Sequence, residues 1–145
     1  MKLTEHMKRI LTSVLWDIRN IVREGNLRHG SLNEQREARR RRRELDAWGV
    51  RYDLARWLMR PTTPSDSAVF SRAMRNMDDM GLLVRVSRWG GRRTTHVRLT
   101  PAGLAAAERV LREQQAESEA LIARLGPIEM PREAAPWDDR NDTPA

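Results

Sequence analysis

The stretch that decides the fold is RWGGRRTTHVRLTPAG, residues 88 to 103. It sets four arginines and a tryptophan around a double glycine, then closes on a threonine-proline pair. Gly90-Gly91 predicts a tight hairpin, because the favoured two-residue turns need positive φ and glycine adopts it without steric cost. Pairing outward sets Trp89 opposite Arg92, Ser87 opposite Thr94 and Arg85 opposite His96. In that register Val84, Val86, Thr95 and Val97 share one face, with Leu99 beyond, and the basic residues take the other. Arg88 breaks the sorting, close to the tip where solvent is in reach. The expectation is a short antiparallel hairpin with a buried root and a cationic tip.

Working outward, Thr100-Pro101 opens a last helix to about Leu125. Its apolar positions are Leu104, Ala107, Leu111, Leu121, Ile122 and Leu125, and the stripe weakens between Gln114 and Glu119. Upstream, Thr63-Pro64-Ser65-Asp66 combines a threonine cap, proline at the first helical position and an acid at the third. The helix it starts reaches Met80, with Gly81 at the C-terminal cap position. Phe70, Ala73, Met74, Met77 and Met80 form its inward stripe, and Ala68, Ser71, Arg72, Arg75 and Asp79 lie opposite. The methionines read as packing. Before the Arg60-Pro61-Thr62-Thr63 turn, a short helix is expected from about Arg51 to Met59, with Leu54, Trp57 and Leu58 inward. Trp48-Gly49 separates it from a helix that Ser31-x-x-Glu34 starts as a capping box, each side chain bonding the other's free amide. That helix, to about Ala47, holds five consecutive arginines, Arg39 to Arg43. Five residues wrap more than one turn, so they cannot all face one partner. They read as a solvated face paired with Glu34, Glu37, Glu44 and Asp46, or as an interaction surface. Residues 2 to 24 carry Leu3, Met7, Ile10, Leu11, Val14, Ile18, Ile21 and Val22 at helical spacing, a narrow stripe such as a partner helix would cover.

At 145 residues the chain supports one domain. It has 27 Lys plus Arg against 20 Asp plus Glu, a net charge of +7. From Pro127 onward, five acids (Glu129, Glu133, Asp138, Asp139, Asp142) face two bases (Arg132, Arg140), so that tail carries −3 and residues 1 to 126 carry +10. A positive body favours polyanions, either nucleic acid or an anionic membrane surface. Arginine far outnumbers lysine, which suits bidentate phosphate or guanine contacts. Proline, acids and weak periodicity make 127–145 read as a disordered acidic Pro-rich tail. There is no cysteine, which excludes disulfides, thiolate metal sites and cysteine nucleophiles. The amphipathic start is neither a signal peptide nor a membrane span. His6, His29 and His96 lack ligand spacing. No Ser-His-Asp arrangement or phosphate-cradling loop is visible, so no catalytic residue, metal or cofactor is expected.

The order of elements resembles a winged helix-turn-helix DNA-binding domain, and the details resemble the MarR family of bacterial transcription regulators. SRAMRNMDDMGLLVR resembles the family's recognition helix running into its Gly-Leu strand. GRRTTHVRLTPAG resembles its wing, with Arg92 and Arg93 on the two wing arginines and Leu99-Thr100 and Gly103 at the family spacing. The resemblance covers about residues 51 to 110. The chain departs from the pattern at Gly91, where the family has an aspartate that braces the arginine. It departs again before the recognition helix, where the turn is about four residues longer and holds two prolines. The resemblance implies a mainly α fold with a small β hairpin: one winged-helix domain over 1–126, a DNA-binding lobe at 51–99 and dimerisation helices at 2–24 and 101–125. The two helical stripes agree independently with a homodimer.

The function expected is sequence-preferring binding of double-stranded DNA by a dimeric, cytoplasmic, nucleoid-associated regulator. Its DNA-binding residues are expected to be Ser67, Ser71, Arg72, Arg75 and Asn76 on the recognition helix, and Arg85, Arg88, Trp89, Arg92 and Arg93 on the hairpin. Trp89 either inserts against sugars or covers the hairpin's outer face. The alternatives are a replication or partition module of a plasmid or phage, and a protein- or RNA-binding winged helix using the arginine-rich helix. Operator, sign of regulation and effector are not legible in the residues.

Overall fold

Thr4 starts the first helix, α1 (Glu5–Gly25): its hydroxyl accepts from the Met7 amide at 3.2 Å, satisfying one of the donors that a helix start leaves free. The structure, a computed structural model, describes residues 2–26 and 30–126. The expected acidic tail and His29 lie outside the described residues. The chain divides between residues 112 and 113 into two compact units.

The first part of the stripe on α1 is used within the chain. Met7, Ile10, Leu11, Val14 and Leu15 are buried in the core of the same chain, with Ile10, Leu11 and Val14 fully inaccessible. They are covered by the short helix α3 (Leu54–Leu58), by α4 (Pro64–Asp79) and by the sheet, while Ile21 and Val22, farther along the stripe, stay partly exposed. Leu3 and Ile18 pack at the edge of this core.

α2 (Leu32–Trp48) buries no residue. It folds back along α1, where Gly25 lies against Arg42 and Glu24 reaches Arg41. Of the expected capping box, the structure forms the Ser31 half: Ser31 Oγ accepts from the Glu34 amide at 3.1 Å. α2 has no basic residue in its own last turn, and Arg98 supplies one from the sheet by donating to the carbonyls of Asp46 and Ala47.

The helix expected over 51–59 starts later, because strand β1 (Val50–Arg51) precedes it. Gly49 makes this possible. Its φ is +104°, and a Cβ there would overlap the Val97 carbonyl oxygen, so only glycine lets the chain pass this close to the next strand. Asp53 then caps α3 by accepting from the Arg56 amide at 3.2 Å. The α3 side chains Leu54 and Trp57 point inward as expected.

β1, β2 (Leu83–Val86) and β3 (His96–Leu99) form an antiparallel sheet in the order β1-β3-β2. The register corrects the expectation by one residue. Arg85 pairs with Val97 and Val86 with His96, so the connection is a nine-residue loop over 87–95 rather than a two-residue turn at Gly90-Gly91. Gly90 does adopt positive φ, at +76°, and its amide donates to the Ser87 carbonyl. A one-residue slip exchanges the faces of a strand. Leu83 is therefore buried where Val84 was expected, and Val84 is 47% exposed. His96, expected on the basic outer face, is buried. Its Nε2 is 2.8 Å from Glu44 Oε1, and its Nδ1 is 2.8 Å from Thr95 Oγ1.

α5 (Pro101–Leu125) begins in the first unit with Gly103, Ala106, Ala107 and Val110 buried, and Leu104 turned outward. Ala107 and Leu111 of the expected stripe thus meet the core, and Leu104 does not. Thr100 explains the start: its hydroxyl accepts from the Gly103 amide at 3.0 Å and donates to the Gly81 carbonyl at 2.6 Å. In the second unit, Leu121, Ile122 and Leu125 are exposed.

Candidate nucleic-acid interface

The Thr63-Pro64-Ser65-Asp66 start forms as expected, with a complete capping box at 3.1 and 3.0 Å. Asp66 has a second task. Arg60 meets it through both terminal nitrogens, at 2.6 and 3.0 Å, and that pair holds the carboxyl well below the usual carboxylate range. The long turn before α4 is thereby tied to its first turn. Phe70, Ala73, Met74 and Met77 face the core, which turns Ser67, Ala68, Ser71, Arg72, Arg75, Asn76 and Asp79 to solvent. His6 of α1 meets the Phe70 ring edge-on at 5.0 Å and fixes the helix from behind.

Beside α4, α3 and the 87–95 loop enclose a cleft of about 480 Å³. Ser67, Ser71, Arg75, Arg85, Arg92 and Arg93 all line it. Six of the ten expected site residues, four of them guanidiniums, therefore converge on one concavity. Their negative neighbours are engaged. Asp78 accepts from Arg85 Nε at 2.9 Å, Asp66 holds Arg60, and Asp53 caps α3 and faces Arg56. The Arg85–Asp78 pair clips β2 to α4, a brace seven residues apart that no local pattern announces.

Tyr52 also lines this cleft and was absent from the expected set. Its hydroxyl is buried without a hydrogen-bond partner, and burial pushes the phenol above its ordinary value, with the Ser71 hydroxyl opposing that shift from beyond hydrogen-bond geometry. Its ring meets Trp57 edge-on at 5.4 Å. The signal for Tyr52 was the β-favouring Val50-Arg51-Tyr52 run before a capping aspartate, read instead as the start of a helix.

The other four expected residues lie elsewhere. Arg72 and Asn76 are exposed on α4 but outside the cleft. Arg88 turns to the opposite side of the loop, its guanidinium 5.6 Å from the Trp48 ring centre and 5.1 Å from that of Trp89. Trp89 is 76% exposed. On that side Glu44 bonds Arg51 at 2.5 Å and His96 at 2.8 Å, and the Arg51 bond leads in lowering the Glu44 carboxyl to about 2.

Among the described residues, no group of three or more His, Asp or Glu is placed to hold a metal ion. No described helix is long and apolar enough to cross a membrane. Comparison with protein-family models, with curated proteins and with solved structures finds no match for the chain.

Proposed function

We propose that the protein binds double-stranded DNA as a winged helix-turn-helix regulator, with α4 in the major groove and the 87–95 loop as a wing at the minor groove. The observation that carries this reading is the convergence of Arg75, Arg85, Arg92 and Arg93 with Ser67 and Ser71 on one cleft beside an exposed helix face. Arginine and serine are donors suited to phosphate oxygens and to guanine edges. An α-helix with its side chains is about 10–12 Å across and the major groove about 12 Å wide, so α4 fits as a unit. The net charge of +10 over residues 1–126 supplies the long-range attraction.

Reading and anchoring divide between the two elements. Arg72 and Arg75 project from α4, where base edges are in reach, whereas Arg92 and Arg93 lie on the loop, where phosphates are the natural partners. Arg75→Ala should cost about 1–3 kcal/mol on a preferred site selected from random duplexes and far less on scrambled DNA. Arg92→Ala with Arg93→Ala should weaken both alike and flatten the salt dependence by about one to two units. Paired titrations of each variant check this. If no duplex is bound at low salt, the reading fails, and equal losses from Arg75→Ala on both duplexes remove α4 as the reading element.

A homodimer completes the proposal. With Met7 to Leu15 of α1 largely occupied inside the chain, a second copy would use the exposed Leu121, Ile122 and Leu125, or the groove lined by Leu15, Ile18, Val22 and Leu104.

A further inference from the structure

The arginine run of α2 sorts itself by helical geometry. Arg41 turns to Glu24 and Glu37, at 3.3 and 3.5 Å, and Arg42 turns to Asp46 at 3.3 Å. At 100° per residue, Arg36, Arg39, Arg40 and Arg43 fall within one stripe about 100° wide on the opposite, solvent side. All four are exposed. Arg40 keeps a surface pair with Glu37 at 2.9 Å, and Arg36, Arg39 and Arg43 have no acidic partner among the described residues. The stripe does not end with the helix. Arg40, Arg43, Arg51 and Arg88 line one groove with Trp48, and its single carboxylate, Glu44, is committed to Arg51 and His96. The 87–95 loop is therefore flanked by arginines on both sides, the α4 cleft on one and the α2 stripe on the other.

We propose that this stripe, Arg36, Arg39 and Arg43 running into Arg88, is a second phosphate-binding strip that holds the backbone of duplex DNA on the far side of the hairpin loop. The inference rests on the DNA reading above and extends it to a residue set outside the recognition surface. A loop lodged in a minor groove has a sugar-phosphate backbone on each side, and each of its basic flanks then meets one. From Arg36 to Arg43 the helix rises about 10 Å, the axial span of about three phosphates of one strand. Charges at fixed helical spacing suit the regular phosphate lattice of a duplex. A single strand would seek open aromatic rings for base stacking, but in this groove the Trp48 ring is partly buried and carries the Arg88 guanidinium. The strip reads no bases, so it adds affinity and footprint without sequence preference.

The test uses the full chain and the triple variant R36A/R39A/R43A, whose changed side chains are exposed and unpaired, with circular dichroism to verify folding. On a long duplex carrying the selected site, the variant should lose about 10–100-fold in affinity near ~0.1 M salt, and its salt dependence should flatten by about two to three units. Its hydroxyl-radical footprint should shorten by several base pairs at the flanks. On a duplex trimmed to that shortened footprint, wild type and variant should bind alike. R36K/R39K/R43K should restore the salt dependence. If wild type and triple variant agree in footprint and salt slope on the long duplex, the stripe is only a solvated face and the inference is overturned while the DNA reading stands. A loss equal on long and trimmed duplexes overturns it too. So does a loss confined to single-stranded RNA, which would make α2 an RNA surface. Failure of wild type to bind any duplex overturns the DNA reading itself, and this inference with it.

Discussion

Asp17 shows how much one side chain can organise. It sits on the apolar stripe of α1 at 6% exposure, where an aspartate would ordinarily be costly. Arg56 donates to both its oxygens, at 2.7 and 2.5 Å, and Trp57 Nε1 donates at 2.9 Å, so the carboxylate is paired as well as buried. Arg9 adds a bond to the Trp57 carbonyl at 2.9 Å. Together these bonds hold α3 against α1, and α3 forms one wall of the arginine cleft. Asp17→Ala should cost about 2–3 kcal/mol in urea unfolding, less than for a wholly buried pair because the half-exposed Arg56 regains water. A loss below about 1 kcal/mol would mean that packing alone holds α3 in place. Asp17 could not have been picked out from its position in the sequence, since its partners are 39 and 40 residues away. By contrast Thr63, Asp66 and Thr100 were legible, because a cap bonds to groups within three residues.

At the scale of elements, two glycines separate conformation from crowding. Gly81 ends α4 at φ +76°, and the position a Cβ would take there has no neighbour within 4 Å. Gly81→Ala therefore tests backbone strain alone and should cost about 1 kcal/mol. Gly103 lies inside α5, yet a Cβ there would overlap the Leu82 carbonyl oxygen. Gly103→Ala must push α5 off the start of β2 and should cost about 2–3 kcal/mol. Thermal unfolding of the two variants side by side checks the order, and equal losses would remove the close approach as the reason for Gly103. The Leu-Thr-x-x-Gly spacing thus has a physical meaning here: the threonine caps the helix and the glycine lets it dock. The hairpin teaches the opposite lesson. Gly90-Gly91 correctly located a turn, but the Thr95 amide bonds the Val86 carbonyl at 2.8 Å and the Thr95 hydroxyl accepts from the Arg88 amide at 2.9 Å. Those bonds close a wider loop and shift the register by one.

For the whole molecule, burial of the first part of the α1 stripe limits where a second copy can bind. Ile10→Asp would bury an unpaired charge at a fully inaccessible site, so it should unfold the chain, at a cost above about 4 kcal/mol, instead of releasing monomers. Leu121→Glu with Ile122→Glu changes exposed positions and should leave folding intact while giving monomers in light scattering. A double variant that stays dimeric, or a wild type that is monomeric at micromolar concentration, removes the dimer from the proposal.

The starts of α2, α4 and α5, the inward faces of α3 and α4 and the basic character of the loop followed from the residues themselves, because caps, periodicity and charge act over a single turn or along one strand. The start of α3 did not, since a strand takes Val50 and Arg51. Only the tertiary structure decided what those faces meet. It gave the first part of the α1 stripe to the core of its own chain, buried His96 against Glu44, turned Arg88 away from Arg92 and Arg93, and brought Asp78 to Arg85. It also divided the five arginines of α2 between neighbours and solvent. Each of these depends on a partner placed by the path of the chain through space, and a local pattern carries no record of that path.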